Sequence, residues 1–171
     1  LFNLIKFRSM VINADQTGVD STSINDGRIT KLGKFIRRFK IDEIPNFFNI
    51  LFGQMSFVGP RPNVQNETKL YTSEEDNLLH VRPGITDFSS IVFSDESDIL
   101  ADSSDPDLKY NQIIRPWKSR LGIFYVKNKS FFLDIKLIYC TALALVSKKK
   151  ALLFINKILV SMNADEKLIK K

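Results

Sequence analysis

Apolar residues recur at helical spacing from Thr30 onward. Leu32, Phe35, Ile36 and Phe39 fall on one side of a helix, and Lys31, Lys34, Arg37 and Arg38 fall mostly on the other. Thr30 stands just ahead of that pattern, and its hydroxyl can accept a hydrogen bond from the first turn, so a helix is predicted to start there. A second helix is predicted from about Asp42 to Phe52, ended by Gly53, a residue suited to the left-handed conformation that closes helices. Leu1 to Met10 reads as a strand and Ile85 to Phe93 as a further strand-like run, while Met55 to Val58 leads into a loop, Gly59-Pro60-Arg61-Pro62. A short helix is predicted around Ser73 to Leu79, and Arg82-Pro83-Gly84 reads as a turn. Two polar stretches read as loops: Asn13 to Gly27, and Ser94 to Leu108, which holds six acids and no base and is broken by Asp105-Pro106-Asp107. The second could also form a rim over a functional site.

The last third is helical in pattern. Phe131, Phe132, Ile135, Leu137 and Ile138 open an amphipathic stretch that turns wholly apolar from Tyr139 to Val146. Lys148-Lys149-Lys150 interrupts it, and Ala151 to Val160 resumes it. An apolar face beside a lysine cluster suits a helix lying on an anionic lipid leaflet, and a helical hairpin accounts for the same pattern. The apolar run from Leu137 to Val146 is shorter than the ~18 residues of a simple transmembrane helix. The chain opens Leu1-Phe2-Asn3 without an initiator Met or a signal-peptide pattern and reads as entering mid-strand, so an upstream segment is expected.

Composition narrows the class. The 171 residues, 44% apolar with 14 Phe, suffice for a core of one domain, and 26% charged residues fit neither a disordered tail nor a membrane bundle. The net charge of +6 implies an anionic partner: nucleic acid, phospholipid or a phosphorylated substrate. Zinc-finger, helix-turn-helix and aromatic-basic RNA motifs are absent, so nucleic acid is not expected. The lone Cys140 excludes an intrachain disulfide and, within an apolar run, reads as a buried, inert thiol. Between Gly27 and Ile41 lie six basic residues and no acid, either a solvated helix face or an anion-facing surface.

Candidate chemistry centres on Lys40-Ile41-Asp42-Glu43-Ile44-Pro45-Asn46. Proline is tolerated only in the first turn of a helix, which puts Asp42 near the N-cap and Glu43 in that turn. Both carboxylates there have an ordinary explanation as a cap and a dipole partner. The same geometry also keeps a carboxylate ionised, as a nucleophile must be. A second, adjacent carboxylate can bind Mg²⁺, which takes one or two carboxylates together with substrate phosphates.

Several motifs in order then resemble one family. They are Lys6-Phe7-Arg8-Ser9-Met10, Arg28-Ile29-Thr30-Lys31-Leu32-Gly33 and Ile41-Asp42-Glu43-Ile44-Pro45. Gly53-Gln54-Met55-Ser56-Phe57-Val58-Gly59-Pro60-Arg61-Pro62 and Val81-Arg82-Pro83-Gly84-Ile85-Thr86 follow, with Tyr125 to Asp134 as a closing motif. Together they resemble the bacterial sugar transferases, the monotopic polyprenyl-phosphate phosphoglycosyl transferases of glycoconjugate assembly. The resemblance implies transfer of a sugar-1-phosphate from a UDP-sugar to polyprenyl (undecaprenyl) phosphate, initiating bacterial glycan or exopolysaccharide assembly. It implies Asp42 as the nucleophile forming a phosphosugar-aspartyl intermediate, Glu43 as the Mg²⁺ ligand and Arg61 as a phosphate clamp. Lys6, Arg8 and Arg28 match basic residues near the family's site and are expected substrate contacts.

The resemblance further implies an anionic membrane surface as partner and the cytoplasmic face of the bacterial inner membrane as location. The family's upstream re-entrant membrane helix and strand pair have no counterpart here. Asp87 stands where many members have Gly, and Asn46 where many have Gln. His80 matches nothing catalytic. The expected fold is α+β: a compact catalytic domain over residues 1–147, truncated at its N-terminus, made of short strands and amphipathic helices at a membrane surface, with a basic, amphipathic tail over 148–171. The alternative is a non-catalytic membrane-surface adaptor of the same fold, which would not need the intact Asp42–Glu43 pair.

Overall fold

Among the described residues helices predominate and sheet is confined to one short pair of strands, so the α+β class holds. The computed structural model describes residues 1–17, 22, 26–101, 103 and 105–169. Much of the loop predicted from Asn13 to Gly27 lies outside the described residues. In chain order the elements are α1 (Lys31–Arg38), α2 (Asn46–Leu51), β1 (Ser56–Val58), α3 (Gln65–Thr68), β2 (Gly84–Thr86), α4 (Phe88–Val92), α5 (Glu96–Ile99), α6 (Pro106–Lys109), α7 (Arg115–Asn128), α8 (Phe131–Val146), α9 (Lys148–Ser161) and α10 (Glu166–Ile169). Single 3₁₀ turns lie at Ala14–Thr17, Ile41–Glu43 and Glu75–His80, and a π turn at Tyr110–Ile114 leads into α7. None of these helices is long and apolar enough to cross a membrane.

The chain divides into two compact units. The first comprises Leu1–Met55 with Asp95–Arg115. Its α1 is capped as predicted, with Thr30 Oγ1 accepting from Gly33 N at 2.9 Å. Gly33 has no alternative, since a Cβ there would lie 1.8 Å from the Ser9 carbonyl oxygen. Leu1 to Met10 forms no regular element among the described residues beyond one isolated antiparallel bridge, Met10 to Ile29, rather than the predicted strand. Its hydrogen bonds go to turns and side chains instead: Phe7 N to Asp42 O, Thr30 N to Ser9 O, and Ile5 N to Asn49. The predicted loop from Ser94 to Leu108 contains α5 and α6, and Leu100 between them is fully buried. Asp105 caps α6 by accepting from Leu108 N at 2.9 Å, with Pro106 in the first turn.

The second unit comprises Ser56–Ser94 with Pro116–Lys171. β1 and β2 pair in parallel, Ser56 opposite Gly84 and Val58 opposite Thr86. The crossing runs through α3 and the Glu75–His80 turn, close to the short helix predicted around Ser73 to Leu79. The strand predicted over Ile85 to Phe93 stops at Thr86. Asp87 then accepts from Ser90 N at 2.7 Å and starts α4, because a short carboxylate offers the backbone a helical alternative to the ladder. α8 packs on both strands and on α4 and forms an antiparallel-style hairpin with α9 through Ser147. Phe88, Ile91, Leu137, Cys140, Ala151 and Ile155 make its interior. Buried positions 151, 155, 158 and 159 give α9 an inward face, leaving Leu153 and Val160 outside.

Candidate active site

The Asp42–Glu43 pair lies in the first unit, on a 3₁₀ turn rather than on an α-helix. Lys40 precedes it in the left-handed conformation, with φ 57°. Ile44 N bonds back three residues to the Ile41 carbonyl, and Pro45, which has no N–H, cannot close a four-residue bond. The α-helix proper therefore begins only at Asn46, four residues later than predicted. Its close is as expected, with Gly53 at φ 71°.

The N-terminal segment runs beside the pair. Phe7 N donates to the Asp42 carbonyl at 3.0 Å, and Lys6 Nζ lies 3.6 Å from Glu43 Oε1. Both carboxylates are half-buried, and Arg8 is exposed. The Asp26 carboxylate holds Arg28 by the Arg28 backbone N at 2.9 Å and by the guanidinium: Nε to both carboxylate oxygens at 3.0 and 3.1 Å, and Nη2 to Oδ2 at 2.7 Å. The Arg28 hydrogen bond holds the Asp26 carboxyl below its ordinary value, outweighing the opposing effect of burial. Arg28 is thus anchored in the turn that bridges back to Met10. The fold brings Lys6 to Glu43, and it places Arg8 and Arg28 in the same unit as the pair.

Arg61 belongs to the second unit. β1 delivers the Gly59-Pro60-Arg61-Pro62 loop, and Arg61 Nη1 donates to the Ile85 carbonyl of β2 at 2.7 Å. The loop is locked to β2 from both sides: Gly59 N to Thr86 O at 3.0 Å and Gly84 N to Pro60 O at 3.0 Å. Gly84 has to be glycine, because a Cβ there would stand 2.1 Å from Gly59 N. Behind the strands, the Thr86 and Thr141 hydroxyls meet at 2.6 Å. Tyr125 Oη donates to Asp134 Oδ1 at 2.8 Å and reaches the Val58 carbonyl at 3.3 Å. Burial, and then Asp134, push the Tyr125 phenol far above its ordinary value.

Sequence reasoning quoted Tyr125 and Asp134 within a motif and gave them no role. It missed Asn49 altogether, a fully buried amide whose one signal was a polar residue inside an apolar helix. Asp87, one of the two departures from the family pattern, is buried and satisfied by Ser89 and Ser90. The other, Asn46, is buried with its side-chain oxygen lacking a hydrogen-bond partner among the described residues. His80 is exposed at the end of a 3₁₀ turn.

The family described as bacterial sugar transferase matches residues 1–148. The chain belongs to that family. This bacterial sugar transferase is 34% identical over 143 residues to the UDP-N-acetylgalactosamine-undecaprenyl-phosphate N-acetylgalactosaminephosphotransferase of Aeromonas hydrophila, covering 82% of the chain and 31% of that protein. It is 38% identical over 140 residues to the UDP-glucose:undecaprenyl-phosphate glucose-1-phosphate transferase of Klebsiella pneumoniae, covering 80% and 28%. Identity to the undecaprenyl-phosphate galactose phosphotransferase of Salmonella typhimurium is 33% over 157 residues, covering 83% and 30%. The chain thus spans about a third of the length of these relatives. They are named for three different sugars, so membership of the family does not by itself fix the sugar.

Proposed function

We propose that this chain transfers a sugar-1-phosphate from a UDP-sugar to undecaprenyl phosphate, the first step in assembling a bacterial glycan or exopolysaccharide. The observation that carries the reading is the intact, half-buried Asp42–Glu43 pair beside Lys6, in a chain similar to named undecaprenyl-phosphate sugar phosphotransferases. In this reading an Asp42 carboxylate oxygen attacks the sugar-linked phosphorus of the UDP-sugar. The bond from that phosphorus to the bridging oxygen breaks, UMP departs with the electron pair, and a phosphosugar-aspartyl anhydride remains. An oxygen of undecaprenyl phosphate then attacks the same phosphorus and returns Asp42 as a carboxylate, giving the polyprenyl diphosphosugar.

Among the described residues, no group of three or more His, Cys, Asp or Glu gathers as a ready-made metal cage. Mg²⁺ does not need one, since it is bound by one or two carboxylates plus substrate phosphates and water, and the adjacent Asp42 and Glu43 suit that role. Glu43 would hold the ion, whose charge would offset repulsion between the Asp42 carboxylate and the diphosphate. Lys6, 3.6 Å from Glu43, keeps that carboxylate oriented. Arg8 adds positive charge in the same unit, while the charge of Arg28 is paired with Asp26. Arg61 would clamp phosphate oxygens, its planar fork already oriented by the Ile85 carbonyl. The test is Mg²⁺-dependent UMP release from a panel of UDP-sugars. Absence of release from every member, with undecaprenyl phosphate present, would favour the adaptor reading.

An anionic membrane surface on the cytoplasmic side is part of the proposal, and the support for it comes from α1 and α2. Leu32, Phe35 and Phe39 are 67%, 56% and 54% exposed, and Phe48, Leu51 and Phe52 are exposed too. Lys31, Lys34 and Arg38 sit among them without an acid from 28 to 41, the charge pattern that complements anionic headgroups. The Ala151 to Val160 stretch offers less, because its main apolar face is packed inside the second unit. Co-sedimentation with anionic but not neutral vesicles is expected. It should be lost on changing Phe35 and Phe39 to Ser, and should be reduced less by changing Lys148, Lys149 and Lys150 to Gln. Equal binding to both vesicle types would remove this part of the proposal.

A further inference from the structure

Asn49 is a fully engaged polar side chain in the interior of the first unit. It is 0% exposed. Its Oδ1 accepts from Ile5 N at 3.0 Å, and its Nδ2 donates to the Asn3 carbonyl at 2.8 Å and to Gln54 Oε1 at 2.7 Å. Its own carbonyl accepts from Gln54 N and Met55 N at 2.9 and 3.1 Å. A primary amide has two donors and one oxygen, and all are used here without a neighbouring charge. A buried amide in an apolar helix is costly unless satisfied, and of its three side-chain partners the two backbone groups, Ile5 N and the Asn3 carbonyl, lie more than forty residues away in sequence.

These two backbone groups lie just before Lys6. Fixing Asn3 and Ile5 on α2 leaves Lys6 and Phe7 no slack. Lys6 Nζ then falls 3.6 Å from Glu43, and Phe7 N falls 3.0 Å from the Asp42 carbonyl. The pair sits on a short 3₁₀ turn ahead of a six-residue helix, so little local structure holds it. We propose that Asn49 is the positioning residue of the Asp42–Glu43 pair, acting through the N-terminal segment that it pins to α2. The proposal rests on the function given above. It assigns Asn49 no contact with substrate: what it controls is where Lys6 and the Phe7 N–H meet the two carboxylate residues.

The test has two arms, run on the full-length protein in detergent. In the first, amide hydrogen exchange is followed at Ile5 and Phe7, with the amide of Phe52, which caps α2 and bonds to the Phe48 carbonyl at 2.9 Å, as internal reference. The parent should protect Ile5 and Phe7, and Asn49→Leu, similar in shape and without polar atoms, should release both while Phe52 stays protected. In the second, UMP release is measured for Asn49→Leu, Lys6→Met and the double variant. Asn49→Leu should lower kcat by about tenfold or more with KM for the UDP-sugar little changed, as expected for misplaced reacting groups. On the Lys6→Met background the same change should cost about threefold or less, because the two act on one arrangement. Multiplying effects in the double variant, or parent-like kcat in Asn49→Leu, would overturn the proposal. Should Asn49→Leu fail to fold, the parent still decides: fast exchange at both Ile5 and Phe7 would refute the pinning. A parent that releases no UMP while protecting both amides would refute the reaction and leave the pinned segment standing.

Discussion

Replacing Tyr125 by Phe removes one hydroxyl from the interior of the second unit and keeps the ring. That hydroxyl donates 2.8 Å to Asp134 Oδ1 and lies 3.3 Å from the Val58 carbonyl, so it links α7 to the start of α8 and to the end of β1. A hydrogen bond to a charged acceptor contributes about 1.5–3 kcal/mol. Asp134 is half-buried, so water can reach it once the phenol is gone, and the loss should fall near about 1.5–2 kcal/mol. For a chain of this size that corresponds to roughly 3–8 °C in Tm. The chain's one tryptophan, Trp117, lies on α7 in the same unit, so its fluorescence follows the relevant unfolding. The pH dependence gives an independent check. Folding favours the protonated phenol, so its contribution is full below the ordinary value of 10.0 and is lost as pH rises above it. The parent should therefore lose stability above pH 10.0 more steeply than Tyr125→Phe, and the two should converge. A variant that melts within about 1 °C of the parent at neutral pH, or falls in parallel with it in alkali, would refute the linkage.

Arg61→Lys should lower the rate of UMP release more than tenfold, about 1.5 kcal/mol, because an ammonium cannot replace a planar fork held by the Ile85 carbonyl; parent kinetics would make the loop purely structural. Asp26 is stabilised as a carboxylate by Arg28, so its contribution is full above 3.8 and is lost as pH falls through its lowered value. Asp26→Asn should flatten the acid limb of the stability curve below 3.8, and an unchanged limb would contradict the pairing. Burial pushes the Cys140 thiol up to about 11, so a maleimide should label it at neutral pH only after unfolding; labelling of the native protein would contradict its burial.

Much of this was legible where one residue type has one local job. Thr30 reads as a cap and is one, and Gly53 reads as a helix closer and takes a positive φ. The motifs that identify the family were legible for the same reason, being local strings. What stayed hidden depended on distant partners. Leu1–Met10 looks like a strand until the partner of each backbone group is known, and here those partners are Asn49, Asp42 and Thr30. Ile85 to Phe93 carries strand-like apolar residues, yet the Asp87 cap with Ser89 and Ser90 turns Phe88 to Val92 into helix. The acidic run from Ser94 to Leu108 hides Leu100, which is fully buried at the centre of a three-residue apolar island, Ile99-Leu100-Ala101. At the site itself, residue identities pointed to the Asp42–Glu43 pair. Its setting on a 3₁₀ turn, with Pro45 delaying the helix, required coordinates.

The central claim is that Asp42 carries the phosphosugar, and the direct measurement is the mass of the Asp42 peptide after incubation with Mg²⁺ and a turned-over UDP-sugar, without undecaprenyl phosphate. The account predicts one added phosphosugar on Asp42, released when undecaprenyl phosphate is supplied, and no adduct or turnover in Asp42→Asn, whose amide can still make the hydrogen bonds of a turn. Turnover that continues in Asp42→Asn, or an adduct on any other residue, would contradict it.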